Sequence, residues 1–325
     1  MLSAHYAVVF LISLRLCLLG CNGDKIRPFL TYYETVSYNR DQLFKDHQRS
    51  KRATNQVQST VQIEIFGYNR NFELMLRRDR SVFTDDFKVM SDDTSIPIDI
   101  SFVYSGILKD YSLMKDVKSF ELSLKKYEFL ERMKWNSKEE SVTRTKRSVD
   151  MSRTTCLMQL KADYLFFKRF RNLQEAISQI AGYMRSVNAI YDQVNFNGIK
   201  HINFKVKVLN IIQEKQPDNA MNSAYIGPEK LLMLHSSYNY NNVCLSYLLT
   251  NRDYNGVLGV AWTGKEGNNG GICSMFSKLK DAPGTEGSLN TGIVTIQKYG
   301  QYLPPRLIHI TLAHEIGHSL GSPVR

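Results

Sequence analysis

TLAHEIGHSLG, residues 311–321, carries His314, Glu315 and His318 in the spacing H-E-x-x-H, with Gly321 three positions on. On a helix, residues four apart share a face one turn apart, so both imidazoles can reach one metal ion while Glu315 faces the water that the ion polarises. That pattern points to zinc-dependent hydrolysis, with His314 and His318 as ligands and Glu315 as general base. A helix is expected here because Leu307, Ile308, Ile310, Leu312, Ile316 and Leu320 form an apolar stripe. Pro304 and Pro305 precede it, and Gly321 stands where a C-terminal cap belongs.

The longer metzincin pattern, H-E-x-x-H-x-x-G-x-x-H, delivers a third His after the glycine turn. Position 324 would hold it, and Val324 stands there. Catalytic zinc commonly takes three protein ligands and keeps one open position, so the sequence alone supplies two of the three.

At 325 residues, 43% hydrophobic and 22% charged, the chain has material for two globular domains. Its net charge of +11 is spread along the chain and accompanies no nucleic-acid-binding motif, so a solvated basic surface is expected rather than a nucleic-acid partner. Residues 1–23 read as a secretory signal, with an apolar run from Tyr6 to Leu19 interrupted by Arg15. No later run reaches the length of a membrane span. Of five cysteines, Cys156, Cys244 and Cys273 remain after such a signal. An odd count in a secreted chain implies a missing partner or a free thiol. With Val324, it predicts a longer product continuing past Arg325.

Residues 24 to about 135 look β-rich. VQIEIF (61–66) and NFELMLRR (71–78) alternate around Gly67, Tyr68, Asn69 and Arg70 as a hairpin, and FKVM (87–90) and IDISFVY (98–104) are further strands. The lysine-rich stretch 109–140 is weakly helical. Two basic tetrads, RSKR (49–52) and RTKR (144–147), suit processing proteases that read arginine and Lys-Arg by charge pairing. RTKR reads as the exposed linker of the two, so Arg144, Lys146 and Arg147 are the expected processing residues. RSKR reads more as a solvated basic loop.

Beyond Arg147, strands alternate with helices. Strands are expected at 156–170, 202–212, 243–250, 257–262 and 288–297, a long amphipathic helix at 172–194, and a short helix near 228–235. Such alternation argues for an α/β domain on a mixed sheet.

HQRSKRA (47–53), FTDDFKV (83–89), TCLMQLKADYLFFK (155–168), VCLSYLLTNRDYNGVLGVAWTG (243–264), GGICS (270–274), SLNTGIVTIQKYG (288–300) and HITLAHEIGHSLGSP (309–323) together resemble the ADAM metalloproteases, of the Kuzbanian or alpha-secretase type. The resemblance is dense from about 150 to 323 and patchy before that. It implies a signal peptide (1–23), a β-rich propeptide (24–147) and the first part of a metzincin-like catalytic domain (148–325), without its lower lobe. It implies a Zn2+ cofactor, His314 and His318 as ligands, Glu315 as base, and Gly259, Val260 and Ala261 as the strand along which a peptide lies extended. It also pairs Cys156 with Cys244 and sends Cys273 to a cysteine past Arg325. Partners would be membrane-protein ectodomains of the Notch type and a processing protease at RTKR. The location would be the secretory pathway and the cell surface, where longer relatives are anchored by a span this chain lacks. The propeptide looks shortened between Gly106 and Tyr127 and holds no cysteine to silence a zinc. The alternative reading is a catalytically silent product that binds a longer relative.

Overall fold

Val61, Ile65, Leu74 and Leu76 alternate with polar neighbours, and each is buried. They are the inner face of the expected hairpin, β1 (Val61–Gly67) against β2 (Arg70–Arg78), turned at Asn69 with φ 54°. The computed structural model describes residues 37–53, 59–67, 69–91, 94–109, 154–196, 198–216, 219–223, 225–264, 270–279 and 284–322. The signal-like segment, the stretch 110–153 with RTKR, and Val324 lie outside them.

Ahead of the hairpin, Arg40–Arg52 forms α1, capped by Asn39 Oδ1, which accepts the Gln42 amide. RSKR is therefore not a basic loop but the last turn of a helix. Ser50 is fully buried and donates to the Ser59 carbonyl, while Arg49 pairs with Asp46 and Lys51 with Asp99. Basic side chains at a helix C-terminus also suit its dipole.

IDISFVY is corrected too. Asp99 accepts the Ser101 amide and Val103 donates back to the Ile100 carbonyl, so 98–103 is a turn. Strand β5 starts only at Tyr104 and runs to Leu108. It joins β2 to complete a three-stranded sheet, β1-β2-β5, whose core of Val61, Ile65, Leu74, Leu76 and Leu108 is covered by Leu43 of α1.

The larger sheet is mixed, as expected. It contains β3 (Phe83–Ser91), β4 (Thr94–Ile96), β6 (Thr155–Ala162), β7 (Asn203–Ile211), β8 (Leu245–Thr250), β9 (Gly259–Ala261) and β12 (Thr291–Thr295). Their order is β4-β3-β7-β6-β8-β12-β9, parallel through the middle and antiparallel at both edges, while β10 (Ser277–Lys278) and β11 (Glu286–Gly287) pair with each other apart from it. Strand β3, on the N-terminal side of the basic tetrad, pairs with β7, from the C-terminal side.

Every residue of β8 and β12 is buried, which is the signature of parallel strands covered on both faces. Leu245, Tyr247 and Leu249 face the main core, shared with α3 (Leu173–Asp192) and α5 (Pro305–Ser319). Leu248 faces the other way, onto Leu231 and Leu232 of α4 (Pro228–Ser236). Helix α3 begins with a reciprocal cap: Asn172 accepts the Glu175 amide and Glu175 accepts the Arg171 amide.

The run 156–170 is not one strand. It breaks at Asp163, whose Oδ1 accepts the Phe166 amide and starts the short helix α2 (Tyr164–Phe167). The apolar residues beyond Ala162 are aromatic wedges under the sheet rather than its continuation, with Phe166 fully buried. Cys156 and Cys244 are joined as a disulfide across β6 and the residue preceding β8.

Candidate active site

Helix α5 is held along its length. Tyr191 of α3 donates its hydroxyl to the Ala313 carbonyl at 2.9 Å, and the hydroxyls of Tyr247 and Ser319 meet at 2.8 Å. At the C-terminal end, Gly264 and Ile272 donate their amides to the carbonyls of His318 and Ser319. Gly321 then turns the chain at φ +100°, a conformation glycine adopts without penalty. The turn returns the Ser322 amide to the Gly317 carbonyl.

That turn has a second effect. The Ser322 carbonyl comes to 3.0 Å from His318 Nδ1 and accepts its N–H. The tautomer this favours leaves Nε2 with its lone pair available, as a metal ligand requires. His314 Nε2 lies 3.0 Å from His318 Nε2, with the rings nearly perpendicular at 84°. Two nitrogens each about 2.1 Å from one ion stand roughly 3.0–3.4 Å apart at angles of about 90–110°. The pair therefore fits two corners of a zinc site. Partial burial and the neighbouring His318 ring hold the His314 imidazole below its usual pKa, favouring the neutral form that coordinates.

Glu315 is 5% exposed, and burial raises its carboxyl from 4.5 to about 8. It lies directly on the edge strand: a Cβ added to Gly259 would sit 2.5–2.7 Å from its Cγ, Cδ and Oε1. Only a residue without Cβ lets the carboxyl occupy that place. No third His, Cys, Asp or Glu joins the two imidazoles among the described residues. His235 is buried against Tyr240 and Ser246, and His201 pairs with Asp192, so neither belongs to the site. Cys273 is exposed and free.

Strand β9 ends the sheet. It pairs with β12 through Gly259↔Val294, Val260↔Ile293 and Ala261↔Gly292. On either side, Leu258 accepts the Thr295 amide and Trp262 donates to the Thr291 carbonyl. By the alternation of an antiparallel ladder, Val260 also turns its backbone toward β12, and the amides and carbonyls of Gly259 and Ala261 point away. The chain thus places Gly259 against Glu315 and turns the backbone groups of Gly259 and Ala261 outward, while the Val260 side chain packs with Leu231 and Leu248. Sequence reasoning had marked all three residues but missed the contact of Gly259 with Glu315 and the carbonyl of Ser322. A glycine directly after the strand-forming pair Val257-Leu258 was the only signal of the first.

A model of the metallopeptidase family M12B, reprolysin-like, matches residues 173–323. Disintegrin and metalloproteinase domain-containing protein 10 of Xenopus laevis is 32% identical over 394 aligned residues, covering 97% of this chain and 52% of its own length. The Homo sapiens protein of that name is 32% identical over 377 residues, covering 94% and 50%. The Caenorhabditis elegans homolog is 26% identical over 427 residues, covering 96% and 46%. The chain spans about half the length of the curated relatives it matches. An alignment of 394 positions on a 325-residue chain also requires gaps on this chain's side.

Proposed function

We propose, from the match of residues 173–323 to the reprolysin-like M12B metallopeptidases, that the chain serves zinc-dependent endoproteolysis of polypeptides bound in extended form. The observation that carries this is the convergence of the two Nε2 atoms at 3.0 Å beside a carboxyl seated against the edge strand.

A zinc ion bound there would polarise both a water molecule and the scissile carbonyl. His314 and His318 would hold it, and the Ser322 carbonyl fixes the His318 ring. Glu315 takes a proton from the attacking water and returns it to the leaving amine. The high pKa that burial gives its carboxyl suits the return step. The outward backbone groups of Gly259 and Ala261 pair with the substrate as an added antiparallel strand, which fixes its direction along the helix that carries the base. Substrates are ectodomains of membrane proteins, including those of Notch-type signalling. The setting is the secretory pathway and cell surface, with processing after Arg147 by a protease that reads Arg144, Lys146 and Arg147.

No helix among the described residues is long and apolar enough to cross a membrane. Two helix-borne imidazoles with no third donor beside them among the described residues make zinc content the informative measurement. Metal analysis of the purified chain beside a His314→Ala control should show stoichiometric zinc that the control loses. Absence of zinc from both would remove the peptidase reading for this chain and favour a silent, binding product. In a proteolytically competent longer product, Glu315→Ala should lower peptide hydrolysis by about 100-fold or more; unchanged hydrolysis would dismiss Glu315 as the base.

A further inference from the structure

Helix α5 starts with Pro304 at its cap and Pro305 in its first turn, and no side chain caps it. Its apolar contacts, Ile308, Leu312 and Ile316 in the main core, are non-directional, so they bury the helix without fixing its rotation about its own axis. Hydrogen bonds are directional, and two buried tyrosines from other elements place one at each end of the H-E-x-x-H motif. Tyr191 of α3 donates to the carbonyl of Ala313, directly before His314, at 2.9 Å. Tyr247 of β8 meets the hydroxyl of Ser319, directly after His318, at 2.8 Å. Tyr247 and Ser319 are both fully buried. Burial also holds both phenols well above their usual pKa, so each keeps its proton.

The Tyr247 ring has room because of a glycine. Its neighbour in parallel register on β12 is Gly292, and a Cβ there would run into three atoms of the ring. The ring can therefore lean over β12 and bring its hydroxyl to the last turn of α5. The Gly264 and Ile272 amides already hold the carbonyls of His318 and Ser319 there, and Tyr247 adds a side-chain bond from the core beneath. What depends on that turn is the His318 ring, with Nδ1 at 3.0 Å from the Ser322 carbonyl and Nε2 at 3.0 Å from His314 Nε2. We propose that Tyr247 is a positioning residue for this site: through Ser319 it sets the rotation of the last turn of α5, and with it the placement of His318 between His314 and the Ser322 carbonyl. The purpose of that placement rests on the peptidase reading, whereas the placement itself can be measured without a metal.

The test follows the His318 Nδ1 proton by nitrogen–proton NMR of the full chain in chelator. Wild type should show a slowly exchanging Nδ1–H and an unprotonated Nε2. Tyr247→Phe keeps the ring over Gly292, removes only the hydroxyl, and should speed that exchange about tenfold. Ser319→Ala should do the same, and the double variant should be no worse than either alone, since all three remove one contact. Tyr240→Phe removes another buried hydroxyl, the one that meets His235, and controls for a merely structural loss. It should lower the melting temperature without releasing the His318 proton. A His318 proton as protected in Tyr247→Phe as in wild type, or released equally by Tyr240→Phe, would overturn the inference. Cobalt titration separates this outcome from the fate of the peptidase reading. A wild-type chain that binds no Co2+ counts against that reading, while the NMR comparison still decides the role of Tyr247. Where wild type binds Co2+, Tyr247→Phe should raise the dissociation constant about tenfold, and an unchanged constant would also overturn the inference.

Discussion

Glu315 combines two properties that normally oppose each other: it is a carboxyl, and it is buried, with its pKa raised to about 8. The unfolded chain releases that proton near 4.5, whereas the folded chain keeps it until about 8. The unfolded state therefore binds fewer protons across that window, and stability falls as pH rises through it. Thermal unfolding of chelated protein should show this fall between about pH 4.5 and 8, and Glu315→Gln should flatten it. At pH 8 the variant should be more stable than the wild type by on the order of 3 kcal/mol. Gly259→Ala addresses the same carboxyl from the strand. The added Cβ meets a side chain that can move rather than backbone, so the fold should absorb it while the carboxyl shifts. A displacement of about 1 Å costs on the order of 100-fold in rate; kcat/KM of a competent longer product should fall by that much with zinc content unchanged. At this scale His314, Glu315 and His318 were legible because their spacing is a property of one helix turn. The role of Gly259 was not, because nothing local ties position 259 to position 315.

Individual elements are set by caps and interruptions as much as by apolar pattern. Asp163 ends β6, caps α2 and forms a buried ion pair with Arg252, which also donates to the Met221 carbonyl. Arg252 is 4% exposed and Asp163 2%. Arg252→Leu would leave the carboxylate buried without its counter-charge and should cost about 3–5 kcal/mol. Urea unfolding with an unchanged m-value would measure it. The continuous apolar run 156–170 hid this break, since aromatic residues suit a strand and a wedge under a sheet equally well. IDISFVY failed as a strand for a related reason: alternating residues promise a strand only if a partner is within reach, and Asp99 instead closes a turn on Ser101. RSKR became a helix end because Asn39 starts a helix upstream and Asp46 and Asp99 pair with its cations.

The whole molecule is organised by a sheet whose strands come from both sides of the stretch 110–153. The disulfide closes a separation of 88 residues between β6 and the start of β8. Cross-linking constrains the unfolded chain more than the folded one, and removal of such a bond costs about 2–5 kcal/mol. A Cys156→Ser, Cys244→Ser double variant should melt correspondingly lower, with the Cys273 thiol unchanged in a labelling assay. The resemblance stated from the motifs had paired these two cysteines, and a family match over 173–323 agrees with the α/β class read from the alternation of elements.

Taken alone, the sequence determined whatever depends on short-range periodicity: the helix presenting His314, Glu315 and His318, the hairpin at 61–78, the amphipathic helix α3 and the mixed α/β class. Side-chain spacing along one helix or strand is a property of consecutive residues. The tertiary structure decided which strands are neighbours, that β3 completes the sheet beside β7, and that Gly259 lies against Glu315. Those are pairings between residues tens to more than a hundred positions apart, stabilised by shared burial and backbone hydrogen bonding that no local pattern encodes.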